Sequence, residues 1–222
     1  MRLPFAPLPL LLFVSLLVLL VAIVQVGALT LAFDKLGLSA ESGFVLLFAS
    51  LFGSAINVPL FSVRAEAPPA DVVPVAMRGL LRHMARGFHG RTLIAINVGG
   101  GLIPVLFSLY LVTRGGLPPL PVLLVIGIVA GMSHLISRPL PGVGIGMPLF
   151  VAPITAALAA LLISPEHAAP VAYVGGTLGV LIGADLARLG DIRRMGTPLA
   201  AIGGAGTFDG IFMTGIVAVL LT

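Results

Sequence analysis

One stretch decides the class of fold: Val171-Ala-Tyr-Val-Gly-Gly-Thr-Leu-Gly-Val-Leu-Ile-Gly-Ala-Asp185. It runs for fourteen residues without a charged side chain and then reaches a carboxylate. The stretch Ile202-Gly-Gly-Ala-Gly-Thr-Phe-Asp209-Gly-Ile-Phe212 repeats this arrangement closer to the C-terminus. An ionisable group at depth in a bilayer is costly unless it lines a cavity or has a partner. We therefore expect Asp185 and Asp209 to serve the function of the protein.

The composition indicates a membrane protein. Hydrophobic residues make up 59% of the 222 positions and charged residues 9%, and the mean hydropathy is +1.19. A soluble domain of this size has no room to bury that much apolar surface. The chain has no cysteine, which excludes disulfides and thiolate metal sites and fits a bacterial inner membrane. We assign the excess of basic residues to membrane topology, so no nucleic-acid partner is predicted.

Seven apolar stretches are long enough to cross the hydrocarbon core, which needs roughly 20 helical residues. The first stretch has an apolar core longer than that of a secretory signal, so we interpret it as an uncleaved spanning helix. The sequence therefore predicts an all-α fold with about seven transmembrane helices, forming a single integral membrane domain over residues 1–222. Gly and Pro are expected to interrupt the helices of its C-terminal half. The stretches cover residues 8–33, 43–62, 92–113, 117–136, 143–163, 169–188 and 198–221.

The distribution of basic residues predicts the orientation. With seven spans, one side of the membrane carries only Lys35 and Arg114, and the other side carries ten arginines. Because basic residues accumulate on the cytoplasmic side, we expect a cytoplasmic N-terminus and a C-terminus on the far side of the inner membrane. The ten arginines are Arg2, Arg64, Arg78, Arg82, Arg86, Arg91, Arg138, Arg188, Arg193 and Arg194.

The connection over residues 63–91 is the one long loop, and it is predicted to be cytoplasmic and basic. It begins with a Pro-rich stretch, and residues 75–88 then separate apolar from basic side chains at helical spacing. This pattern favours an interfacial helix on anionic lipid. A solvated basic loop is the alternative.

Asp185 and Asp209 are predicted to lie at similar depth. Asp185 is about one turn before the cytoplasmic end of the sixth stretch, roughly 7–8 Å below that surface. Glycines at 203, 204, 206 and 210 disfavour a regular helix at the start of the seventh stretch, which would bring Asp209 toward the level of Asp185. Two carboxylates at one level form an aspartyl dyad, in which one group keeps its proton and the other acts as a base.

A glycine motif near the second carboxylate resembles that of the intramembrane aspartyl proteases of the presenilin, signal-peptide-peptidase and prepilin-peptidase group. The stretch Gly204-Ala-Gly206-Thr-Phe-Asp209 contains Gly-x-Gly, with the Asp two residues later than in those enzymes. The Tyr-Asp and Pro-Ala-Leu elements of presenilins are absent. The resemblance implies hydrolysis of peptide bonds with Asp185 and Asp209 as the catalytic residues.

Four stretches carry a closer resemblance, which extends over nearly all the chain after Ser54. They are similar to a family of uncharacterised prokaryotic multi-pass membrane proteins, a domain of unknown function. The resemblance supports the membrane fold and implies no activity. The stretches are Ile96-Asn-Val-Gly-Gly-Gly-Leu-Ile-Pro104, Ser137-Arg-Pro-Leu-Pro-Gly-Val-Gly-Ile145, Gly176-Thr-Leu-Gly-Val-Leu-Ile-Gly-Ala-Asp-Leu186 and Ile202 to Phe212 as quoted above.

Further polar residues suggest a path for a substrate or an ion. Asn57 and Asn97 are followed by Val-Pro and Val-Gly, which suggests interrupted helices with free backbone groups. The alternative is that each Asn holds helices together by hydrogen bonds. His134 and Arg138 are four residues apart and share a helix face. The predicted path consists of Asn57, Asn97, His134, Arg138, Gly204, Gly206 and Thr207.

Three classes of function remain open. The first is an aspartyl protease-like hydrolase on the cytoplasmic side, and the alternative is a small proton- or cation-coupled transporter or channel using the same carboxylates. The third is a structural subunit in which the carboxylates pair with Arg138 or Arg188. The motifs of serine hydrolases, zincins and P-loop proteins are absent, and no cofactor or metal site is predicted. The expected partners are the lipid bilayer and a membrane-embedded peptide or a small ion.

Overall fold

The computed structural model describes residues 7–66, 90–140, 144–204 and 210–222. Within them the chain is mainly helical, with five short strands. The helices are α1 (Pro7–Lys35), α2 (Ala40–Gly53), α3 (Ile103–Arg114), α4 (Pro119–Ile136), α5 (Val151–Ile163), α6 (Ala168–Val180) and α7 (Gly210–Leu221). The strands are β1 (Asn57–Arg64), β2 (Arg91–Asn97), β3 (Arg138–Leu140), β4 (Gly144–Gly146) and β5 (Leu199–Ile202).

Three helical segments are long and apolar enough to cross a membrane: Val14–Lys35, Pro119–Ile136 and Pro165–Arg188. Side chains 14–27 of the first are exposed, as contact with lipid requires. Shorter apolar helices such as α5, with 13 residues, reach only about 20 Å at 1.5 Å per residue. The prediction of a mainly helical membrane protein is thus confirmed, whereas the seven spans and their orientation stay predictions.

The strands correct the all-α prediction. Predicted spans 43–62, 92–113 and 198–221 each divide into a helix and a strand: α2 with β1, β2 with α3, and β5 with α7. A short apolar run bounded by turn residues fits a buried strand as well as a helix, so hydrophobicity did not separate them. Pro59, within β1, is a residue that a helix interior excludes.

The three longer strands form one sheet in the order β1-β2-β5. Strands β1 and β2 are antiparallel, with Asn57 opposite Asn97 at one end and Arg64 opposite Arg91 at the other. Strand β5 is parallel to β2, and its last residue, Ile202, pairs with Ile96. The sheet therefore has an arginine end and an asparagine end, and β5 runs toward the asparagine end. Strands β3 and β4 form a separate antiparallel pair.

Helix α6 lies at the centre of the bundle and contacts α3, α4, α5 and α7. Glycines at 175 and 179 in α6 and at 183 in the turn that follows it recur every fourth residue, and the space for a Cβ on each is taken by α4 atoms. A Cβ added to Gly179 would lie 2.6 Å from Cβ of Val129. Small residues in such a row allow helix backbones to approach closely within a membrane.

The first and last helices meet at their C-terminal ends. Nζ of Lys35, the last residue of α1, donates a hydrogen bond of 3.3 Å to the carbonyl oxygen of Val219 in α7. The C-terminal ends of α1 and α7 therefore lie together. The segment predicted as an interfacial helix, residues 75–88, lies outside the described residues.

Candidate functional site

Asp185 lies where the helix that begins with α6 changes its geometry. A π-helical turn, Leu181–Asp185, follows α6 and leads into a 3₁₀ turn, Leu186–Arg188. Such π-helical turns often mark functional positions. Asp185 is half-buried at this break, near the end of the membrane-length segment.

The carboxylate of Asp185 is oriented by the turn that follows β5. Its Oδ2 accepts a 2.8 Å hydrogen bond from the backbone N–H of Gly203. Gly203 has φ of +84°, and a Cβ added there would lie 2.5 Å from the backbone nitrogen of Gly101. Both the conformation and the close contact require glycine at this position.

The turn at Gly203 rests on a second π-helical turn, Val98–Leu102. This turn also packs against the end of α2, where Ser50 Oγ donates a hydrogen bond to the carbonyl oxygen of Gly99. A Cβ added to Gly101 would lie 3.0 Å from the carbonyl oxygen of Ile202. Three backbone segments thus stack closely and fix the position of the Gly203 amide.

A cavity of about 390 Å³ borders Asp185. Among the described residues that line it, only Asp185 and Thr214 have polar side chains. The described lining of the cavity is therefore apolar except for one carboxylate and one hydroxyl. Its lining residues are Leu140, Gly144, Ile145, Gly146, Met147, Leu149, Val180, Ala184, Asp185, Leu189, Ile192, Met195, Leu199, Ala200, Ala201, Ile202, Gly204, Ile211 and Thr214.

Asp209, Gly206 and Thr207 lie outside the described residues, so the pairing of Asp185 with Asp209 stays a prediction. The described residues nearest to them in the chain do bear on the site. Gly204, with φ of +96°, and Ile211 both line the cavity. Described residues before and after the stretch that contains Asp209 therefore both lie at the cavity wall.

Asn57 and Asn97 lie at strand ends instead of helix interruptions. The buried Asn97 Nδ2 donates to Oδ1 of Asn57 (3.0 Å) and to the carbonyl oxygen of Ser54 (2.7 Å). Its Oδ1 accepts from the N–H of Gly100 at 2.8 Å. The alternative prediction, that each Asn holds segments together by hydrogen bonds, thus describes these contacts. They join strands and turns, however, instead of helices. Participation in a path stays a prediction.

Arg188 binds the C-terminal end of α4. Its Nη2 donates to the carbonyl oxygens of His134 (2.6 Å) and Ser137 (2.9 Å), and its Nη1 pairs with Asp191 at 3.2 Å. His134 Nδ1 lies 3.3 Å from the carbonyl oxygen of Gly183, and Arg138 is exposed on β3. His134 and Arg138 thus lie near the end of α4 and are not among the cavity-lining residues.

The sequence interpretation missed two parts of this site: the Gly203 amide as partner of Asp185, and β5 as a cavity wall. The run Leu199-Ala-Ala-Ile202 between Thr197-Pro198 and Gly203-Gly204 carried a signal for both. Four apolar residues between turn residues are typical of a short strand, and paired glycines are typical of a turn.

Comparison with known proteins places the chain in a family. Residues 51–221 match the family model described as "Protein of unknown function (DUF1614)". No curated protein and no solved structure matches the chain, so the resemblance to aspartyl proteases finds no support there. The match confirms the prediction of an uncharacterised family and covers most of the chain, which therefore belongs to the DUF1614 family.

Proposed function

We propose that this protein is a multi-pass inner-membrane hydrolase whose site is the cavity beside Asp185, with Asp185 and Asp209 as its acid–base pair. One observation carries the proposal. The carboxylate of Asp185 accepts a hydrogen bond from a backbone N–H, and it lies on the wall of a largely apolar cavity at the break of a membrane-length helix. The segment that contains Asp209 supports it, because the described residues on both sides, Gly204 and Ile211, line the same cavity.

The chemistry would be the hydrolysis of a peptide bond. One carboxylate takes a proton from water, whose oxygen attacks the peptide carbonyl, while the other carboxyl donates its proton to the carbonyl oxygen. The carboxyl that took the water proton then gives it to the amide nitrogen, and the C–N bond breaks as the amine leaves. A hydroxyl of the tetrahedral intermediate returns its proton to the other carboxylate, which restores the pair. An apolar surrounding strengthens the electrostatic interactions of such a pair and limits access of bulk water.

The proposed orientation places this cavity at the cytoplasmic side. Asp185 is three residues before Arg188, and exposed Arg193 and Arg194 follow. Under the positive-inside rule these arginines remain in the cytoplasm. A periplasm-active reporter fused after Thr222 is expected to be active, and one inserted in the 63–91 loop inactive.

A second candidate, proton or cation transport, is favoured by buried hydroxyl groups. Tyr173 and Thr177, one turn apart on α6, are fully buried; their hydroxyls interact with each other, and neither has a further hydrogen-bond partner among the described residues. Both border Gly215 of α7, and its neighbour Thr214 lines the cavity. Buried hydroxyls with incomplete hydrogen bonding are costly unless water or an ion satisfies them. This row could therefore conduct protons or a small cation from the cavity into the bundle.

Replacement of each carboxylate separates these candidates. Purified wild type, Asp185→Asn and Asp209→Asn are reconstituted in liposomes and tested with a library of fluorogenic membrane peptides and with a pH-sensitive dye inside the vesicles. The exposed Asp34→Asn, at the end of α1, is the matched control. Hydrolysis by the wild type and by the control that is lost in both Asp185→Asn and Asp209→Asn supports the hydrolase. Proton flux with the same dependence and no hydrolysis supports the transporter and refutes the hydrolase.

A further inference from the structure

The cavity meets β5 along the edge of the strand. All four consecutive residues of β5, Leu199 to Ile202, line it. Successive side chains of a strand point to opposite faces of the sheet. A cavity that borders every residue of a strand therefore faces its backbone edge, in addition to any side chains.

The same argument applies to β4, which also borders the cavity. Its three consecutive residues, Gly144, Ile145 and Gly146, also line the cavity. Within the described chain, β5 pairs with no strand except β2, and β4 with none except β3. The carbonyl oxygen of Ala201 accepts a 3.2 Å hydrogen bond from the N–H of Gly204 in the turn after β5, whereas the N–H of Ala201 is not used by that turn. The cavity thus borders two small sheets at edges that pair with no further strand of the described chain, and we name it the strand slot.

The backbone of β5 has hydrogen-bonding groups available in this slot. The N–H of Leu93 in β2 donates to the carbonyl oxygen of Pro198 at 3.0 Å, so alternate residues from 198 onward direct their backbone groups to β2. The amides of Leu199 and Ala201 then face the slot. Unpaired amides at an edge favour the addition of another strand, and in apolar surroundings they are costly without one.

We propose that the strand slot binds an extended peptide segment of about four residues, which adds as a strand between β4 and β5. The length of β5, about 13 Å at 3.3 Å per residue, sets the length of the segment. The apolar lining selects apolar side chains, and a lipid chain offers no groups to pair with a row of backbone amides. This inference names the substrate class of the proposed hydrolase, but the binding itself does not depend on hydrolysis.

Asp185 lies at one end of the slot. Its carboxylate is bonded to Gly203, the residue directly after β5. A bound segment aligned with β5 would therefore pass its backbone beside this carboxylate at the end where β5 finishes. Strand addition thus places a peptide bond at the acid–base group.

Peptide binding tests the proposal in two independent ways. The probe is fluorescein-labelled acetyl-Val-Ala-Leu-Val-amide, compared with the same peptide N-methylated at alternate residues, and binding to the protein in nanodiscs is measured by fluorescence polarisation. Because methylation removes the backbone donors, the methylated peptide is expected to bind at least about tenfold more weakly. Equal binding of both peptides to the wild type, or no binding of either, would overturn the proposal.

Variants of one residue provide the second test. Ala201→Pro removes an amide that faces the slot and leaves the bonds to β2 intact, so we expect about tenfold weaker binding. Ala201→Gly keeps the amide and is expected to bind like the wild type. Thermal unfolding checks that both variants fold; if Ala201→Pro does not, the two peptides still decide. Binding by Asp185→Asn without hydrolysis by any form would refute the hydrolase alone, whereas unchanged binding by a folded Ala201→Pro would refute the strand slot.

Discussion

Replacement of Gly203 by alanine tests the backbone packing that orients Asp185. Gly203 has φ of +84°, and an added Cβ would lie 2.5 Å from the nitrogen and 2.6 Å from Cα of Gly101. A left-handed conformation costs an alanine about 1–2 kcal/mol. Overpacking against backbone that cannot rotate away adds about 1–3 kcal/mol. Gly203→Ala is therefore expected to lower the free energy of unfolding by about 2–5 kcal/mol.

Gly37→Ala separates the two contributions. Gly37 has φ of +71° and no atom within 4 Å of an added Cβ, so this variant incurs the conformational cost alone. Both variants are unfolded in mixed micelles with increasing denaturing detergent, and their unfolding free energies are compared with the wild type. A Gly203→Ala variant that is no less stable than Gly37→Ala would refute the close packing of Gly203 on Gly101.

Three further substitutions test the packing around the site. Gly179→Ala should destabilise the bundle by about 1–3 kcal/mol because the added Cβ meets Val129. Gly127→Ala, where the added Cβ has open space around it, should be neutral or stabilising. Equal effects of the two variants in the same detergent titration would contradict the α4–α6 contact. Arg188→Gln should lower the free energy of unfolding by about 2–3 kcal/mol because it loses the hydrogen bonds to the end of α4. Asp191→Asn, which loses only the ion pair, should lower it by under about 1 kcal/mol. The reverse order in thermal unfolding would show that the ion pair dominates. Asn97→Ala should lower the free energy of unfolding by about 3 kcal/mol because it leaves the Ser54 carbonyl and the Gly100 N–H without their hydrogen-bond partner. Unchanged hydrogen exchange at the Gly100 amide would contradict this role of Asn97.

The membrane class could be predicted from the sequence, because it follows from composition. The sequence also singled out Asp185, which the structure places at the wall of the cavity. The strands could not, because an apolar residue such as Ile94 suits a buried strand and a spanning helix equally. Pro59 and the glycines after Asn97 carried information on the ends of elements. They did not show that β2 pairs with β5, since that pairing depends on contacts distant in the chain.

The candidate site divides in the same way. The break near Asp185 could be expected from the glycines around it, whereas its bond to Gly203 depends on the stacking of three separate backbone segments. The glycines at 175, 179 and 183 are spaced four residues apart, a pattern that indicates a contact between two helices. Which helix it contacts depends on how the bundle assembles.

The parallel pairing of β2 with β5 delays completion of the sheet until β5 has been synthesised. Asn97 ends β2, and β5 begins at Leu199, so about 100 residues must be synthesised in between. At roughly 5–20 residues per second, the edge of β2 waits on the order of 5–20 s for its partner. During that time insertion of α3 to α6 proceeds beside an open strand edge, which a chaperone or neighbouring nascent chain can reach. Ribosome-stalled chains that end before residue 199 are therefore expected to be far more sensitive to protease at β2 than chains that include β5.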